Sequence, residues 1–230
     1  MLLKDQQKLI NYLTNFITPE RRHKLESVLA QRTRYLTVIL EDIHRSHNAS
    51  AVLRNCDAFG IQDVHAIENR NPFEVHREIT RGCHKWLTIY RYNDIEQNNT
   101  LNCLNTLKSE GYRIVATTPH KTGVSLKDLK LDRQLALMFG SELQGLSAEA
   151  LQQADEYVTI PMVGYSESLN LSVTVALCLY DLTNRLRCSD IDWSLTKSEI
   201  SQLRLQWMRK AIPHSIHLER HFFETVNRQT

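Results

Sequence analysis

The five cysteines (Cys56, Cys83, Cys103, Cys178, Cys188) are odd in number, and no two of them form a CxxC pair. That speaks against a disulfide framework and against a zinc site, and for reduced, mostly structural thiols in a cytoplasmic protein. Neither GxxxxGK(S/T) nor GxGxxG occurs. Two familiar signatures of triphosphate and dinucleotide binding are therefore missing. The opening MLLKDQQKLINYL carries Lys4, Asp5 and Lys8 inside its apolar pattern. It has neither a signal-peptide core nor a membrane-length run, so no membrane partner is expected. His44, His47 and His84 lack carboxylates or cysteines at ligand spacing, and no metal is expected. Low-complexity tracts, repeats and linker-like runs are absent too, which leaves one domain with helical extensions.

Charge is nearly balanced at +2 overall, but unevenly spread. Residues 1–34 hold seven Lys/Arg against three Asp/Glu, residues 35–190 hold fifteen against nineteen, and the last forty hold six against four plus three histidines. Basic ends around a mildly acidic centre suit a polyanionic partner, although solvated helix faces give the same pattern.

The texture of the chain is strand alternating with helix. Leu9, Ile10, Leu13, Phe16 and Ile17 fit helical spacing, and Thr18-Pro19-Glu20 starts a second helix. YLTVIL (35–40) is a continuous apolar run, as expected of a strand buried on both faces. HNASAVLRNCDAFG (47–60), 99–111, 147–155 and 169–187 read as helices, and two more helical stretches lie within 196–228. DVHAI (63–67), LTIYRY (87–92), 112–118, 134–140 and 156–161 read as further strands. The pattern predicts an α/β fold with a mostly parallel sheet flanked by helices. Such sheets bind ligands beyond the carboxyl ends of their strands. Three strand ends there are rich in glycine, hydroxyl and amide groups but poor in cations: TTPHKTG, FGSELQG and PMVGYSESLN. That composition favours an uncharged or cationic ligand, with Gly140, Gly145 and Gly164 permitting close backbone approach.

Three segments, HNASAVLRNCDAFG (47–60), LMFGSELQGLSAEALQQAD (137–155) and IPMVGYSESLNLSVTVALCLYD (160–181), match a known motif set in order and separation. On them the chain resembles the SpoU (TrmH-type) branch of the SPOUT RNA 2′-O-ribose methyltransferases, over roughly residues 35–187. The resemblance implies a C-terminal trefoil knot, a homodimer, and S-adenosyl-L-methionine as cofactor. It implies methylation of a ribose 2′-hydroxyl in tRNA, at a D-loop guanosine. The alternatives are a ribosomal RNA 2′-O-methyltransferase or an RNA-binding protein without catalysis. Only about 34 residues precede the catalytic part, which favours tRNA.

The implied layout is a helical, RNA-binding extension over 1–34, a methyltransferase domain over 35–187 and a second helical extension over 188–230. Cofactor contacts fall on Thr117, Gly140, Ile160 and Leu169. The catalytic set is Arg54, Asn48, Glu142, Ser168 and Asn170, with Arg54 assisting loss of the ribose proton and Asn48 holding the local geometry. An arginine is protonated below roughly pH 12. Arg54 therefore suits phosphate binding or alkoxide stabilisation better than literal base duty. Glu142 is the single pocket carboxylate in this reading. Glu167 replaces the neutral residue that related sequences often place before the serine of the third motif. Arg21, Arg22, Arg32, Arg34, Lys85, Arg185 and Arg187 are candidate phosphate contacts. Read without the family, Arg54 would be a surface ion-pair partner, and Asn48 and Asn170 simple helix caps.

Overall fold

The computed structural model describes residues 3–119 and 123–227; His120, Lys121 and Thr122 of the TTPHKTG stretch lie outside the described residues. In chain order the elements begin with α1 (Leu3–Thr14), α2 (Pro19–Leu29), β1 (Leu36–Glu41), α3 (Ser46–Ala58), β2 (Asp63–Ile67), α4 (Arg77–Thr80) and β3 (Thr88–Tyr92). They continue with α5 (Asn99–Ser109), β4 (Arg113–Thr117), β5 (Val124–Ser125), β6 (Leu135–Phe139), α6 (Ala148–Gln153) and β7 (Glu156–Thr159). The last three are α7 (Leu171–Arg187), α8 (Lys197–Ala211) and α9 (Ser215–Asn227).

The chain forms two compact units, residues 33–193 and residues 1–32 together with 194–230. The two extensions, separate in the sequence reading, thus combine in one helical unit. In it, α1 and α2 both lie against α8, and α1 also meets α9. Thr18 caps α2 by accepting from the Arg21 amide, with Pro19 at the first helical position. Thr196 and Glu199 form a reciprocal capping box that starts α8. Glu26 and Arg204 form a two-pronged ion pair at 2.6 and 2.7 Å between α2 and α8. Arg32 is buried, with its guanidinium 5.2 Å from the Trp207 ring centre. That corrects its reading as a surface phosphate contact.

The other unit holds a seven-stranded, all-parallel sheet in the order β3-β2-β1-β6-β4-β7-β5. Both faces of its centre are covered, which explains the unbroken apolar run of β1. Leu36, Val38 and Leu40 point into one core with Val52 and Leu53 of α3 and Val175 and Leu179 of α7. Ile39 points into the opposite core with Leu104 and Leu107 of α5. This is the two-residue alternation of a strand with apolar partners on each side. The late strand β6 is inserted between β1 and β4, and β7 between β4 and β5. The loops after β4, β6 and β7 consequently converge at one end of the sheet.

Candidate active site

These loops enclose a cavity of about 660 Å³ at the carboxyl ends of the strands. Its walls include Thr117 after β4, Gly140 and Glu142 after β6, and Ile160, Ser168, Leu169 and Asn170 between β7 and α7, with Asn48 of α3 closing one side. The loop after β6 folds back on itself. Ser141 and Gly145 exchange two backbone hydrogen bonds at 3.0 and 2.8 Å, and Gly145 has φ +68°. A Cβ on Gly140 would lie 2.1 Å from the Gly145 carbonyl carbon. The turn itself therefore requires a glycine at this position.

A chain of hydrogen bonds joins the three sequence segments. The Glu142 carboxylate accepts from the Asn48 side-chain amide at 2.7 Å and from the backbone amides of His44 and Arg45 at 3.0 and 3.3 Å. Asn48 Oδ1 in turn accepts from the Asn170 side chain at 3.3 Å. Asn170 caps α7, accepting from the Ser172 amide and hydroxyl at 2.9 and 2.7 Å. Asn55, two turns of α3 further on, donates to the Ser172 carbonyl at 2.8 Å and ties the two helices together. Asn170 is therefore both a helix cap and a link in the network. Asn48 is not the cap of α3, a position held by Arg45.

Partial burial pushes the Glu142 pKa up, but the hydrogen bonds from Asn48 and from the backbone amides of Glu142, His44 and Arg45 outweigh it. The carboxyl is held below its ordinary range. Glu142 is not alone, because Glu167 also lines the cavity. Arg45, not singled out in the sequence, is the one basic residue among the described lining residues. Arg45 lies just ahead of the first motif, whose pattern drew attention to Asn48 and Arg54 instead.

Arg54 is exposed, does not line the cavity, and makes no hydrogen bond or ion pair among the described residues. The other eight catalytic and cofactor candidates all line it. The candidate phosphate contacts divide. Arg21, Arg22 and Lys85 are exposed. Arg185 is corrected to a structural strut: it pairs with Asp181 at 2.9 Å and donates to the Leu129 and Leu126 carbonyls at 2.8 and 3.1 Å. Arg34 is bound to Asp63 at 2.7 Å, and Arg187 donates to the Phe59 carbonyl at 3.0 Å while lying over Trp193. A guanidinium near a helix end meets carbonyls as readily as phosphates, so position in the sequence could not separate the two uses.

Residues 35–180, more than half of the chain, match the SpoU rRNA Methylase family. The chain belongs to this family. As a SpoU methylase it is 43% identical over 208 residues to the tRNA (guanosine(18)-2′-O)-methyltransferase of Borreliella burgdorferi, an alignment covering 90% of this chain and 93% of that one. The tRNA (guanosine(18)-2′-O)-methyltransferase of Thermus thermophilus is 34% identical over 195 residues, covering 84% and 98% of the two chains. Among solved structures, the Aquifex aeolicus TrmH/SpoU tRNA modifying enzyme aligns with a TM-score of 0.75 at 29% identity, over 84% of this chain and 98% of that one.

Proposed function

We propose that this SpoU methylase transfers a methyl group from S-adenosyl-L-methionine to the ribose 2′-hydroxyl of a guanosine in tRNA. The observation that carries the reading is the Glu142–Asn48–Asn170 chain, which joins all three motif segments at one cavity. The lining fits the cofactor: among the described residues, two carboxylates, one guanidinium and no lysine suit a sulfonium cation better than a polyphosphate. Ile160, Leu169 and Thr117 offer apolar and hydroxyl contacts at the strand ends. When bound, the cofactor supplies an activated methyl group. The protein's own task is to hold the ribose oxygen in line and to manage its proton. Glu142, kept ionised, fixes Asn48, and through it Asn170, while Ser168 lies on the same wall. The loop carrying the third motif thereby keeps one geometry.

The family's name refers to ribosomal RNA, but the relatives matched along nearly their whole length are tRNA enzymes, which favours tRNA. A tRNA enzyme works where tRNA is, in the cytoplasm. Among the described residues no helix is long and apolar enough to cross a membrane. The exposed cations Arg21, Arg22 and Lys85 supply salt-dependent affinity for the RNA backbone. The insertion of β6 and β7 among earlier strands supports the trefoil knot that the resemblance implies.

A homodimer is favoured by α7. Val173, Leu177 and Tyr180 follow helical spacing and are 46%, 41% and 63% exposed, so an apolar stripe faces outward beside α3. Arg54, on α3 and outside its own cavity, then serves the partner's reacting group. Its permanent charge steadies the developing alkoxide, and water removes the proton. Labelled methyl transfer to unmodified tRNA and ribosomal RNA transcripts, with the modified nucleotide mapped, tests the substrate. Label on a tRNA ribose is expected; label on ribosomal RNA alone would reverse the choice.

A further inference from the structure

A second cavity, of about 540 Å³, lies beyond the carboxyl ends of β1 and β2 and shares the 141–146 loop as a wall with the first. Its acidic floor is already committed to the fold. The buried Glu41 accepts from the Thr100 hydroxyl and from the Ser147 amide and hydroxyl, each at 2.8 Å. Asp42, in the left-handed region at φ 52°, accepts from the amides of Asn69 and Arg70 at 2.8 Å. Two charged groups keep capacity for a ligand. Arg70 is exposed and spends one N–H on the Gln144 side-chain oxygen, leaving four of a guanidinium's five donors. Glu149 accepts from Asn98 at 2.7 Å through one oxygen only.

This pairing of donors and a carboxylate has a definite complement. Guanine offers acceptors at O6 and N7 on one edge and adjacent N–H donors at N1 and N2 on another. Adenine lacks the paired donors, and a pyrimidine lacks the two-acceptor edge. The position fits as well, because the two cavities meet at the shared 141–146 loop, next to Glu142 of the first. We propose that the second cavity receives the guanine of the nucleotide being modified, with Arg70 donating to its O6/N7 edge and Glu149 accepting from N1–H and N2–H. This inference rests on the RNA-methylation reading and adds specificity-determining residues to it.

The test uses the full-length protein and tRNA transcripts with guanosine, inosine or adenosine at the mapped position. Wild type should prefer guanosine to inosine, which lacks the N2 amine. Glu149→Gln should erase most of that preference, and Arg70→Ala should lower transfer to guanosine by about 10- to 100-fold. Cofactor affinity, measured in parallel, should be unchanged in both variants and reports on folding. If wild type methylates tRNA but both variants keep its rate and its preference, the base-pocket assignment is overturned while the methyltransferase reading stands. If wild type methylates no RNA, the functional reading itself fails.

Discussion

At the carboxyl ends of β6 and β7, Glu142, Asn48 and Asn170 bond to one another along the wall of an open cavity. At the β2–β3 edge of the same sheet, the buried His65 and the half-buried Tyr92 spend polar groups on each other, and the more exposed Tyr90 contributes its ring. His65 Nδ1 lies 3.1 Å from the Tyr92 hydroxyl, and the imidazole stacks on Tyr90 with ring centres 4.8 Å apart. Burial pushes the His65 pKa down to about 4 and the Tyr92 phenol up. Both clusters hold titratable groups with shifted pKa values, which alone would mark either as a site. The difference lies in what they face. The first borders space bounded by three loops, whereas in the second the buried His65 packs against its neighbours on the sheet, where a polar group serves stability.

The sharpest way to break this contrast is to remove Glu142. Glu142→Ala strands the Asn48 amide and two backbone amides. Methyl transfer should fall by about 100- to 1,000-fold, as when a preorganised polar group is lost from a reacting centre. Single-turnover rates would show it. Mixed dimers test the Arg54 placement: Arg54→Ala and Asn48→Ala, each inactive alone, should regain roughly a quarter of wild-type activity when co-assembled at random. No regain would put Arg54 in its own subunit's site.

The His65 cluster should respond in stability instead. Its folded pKa of about 4 lies below the usual value of 6.5, so the unfolded chain binds the extra proton first. Stability is therefore full above pH 6.5 and is lost as pH falls towards 4, by on the order of 3 kcal/mol. His65→Phe should flatten that dependence in denaturant titrations and leave methyl transfer at neutral pH unaltered. Smaller effects should separate the arginines. Arg185→Ala should cost about 1–3 kcal/mol of stability, because two carbonyls lose their donor, with RNA affinity retained. Arg21→Ala and Arg22→Ala should each lower the salt slope of RNA binding by about one.

Much of the fold was legible because its signals are local. β2 was bounded correctly from DVHAI, and the apolar run of β1 announced a sheet covered on both faces. β5, two residues long, carries too little pattern to stand out, and its pairing with β7 is set by tertiary structure. The strand order has no periodic signature at all. For the site, the motif segments led to the cavity-lining residues, but hydrogen-bond direction was not readable: nothing in SHNAS or GSELQ says that Asn48 donates to Glu142. The arginines were least legible, since Arg32 over Trp207 and Arg185 on two carbonyls depend on residues far away in the sequence.

The most direct test is single-turnover methyl transfer to a tRNA transcript at saturating cofactor, wild type beside Asn48→Ala, with the labelled nucleotide mapped and cofactor affinity measured in parallel. The Glu142–Asn48–Asn170 account predicts one labelled guanosine ribose in wild type and at least a roughly 100-fold slower reaction in a variant that still folds and binds cofactor. A variant as fast as wild type would contradict it.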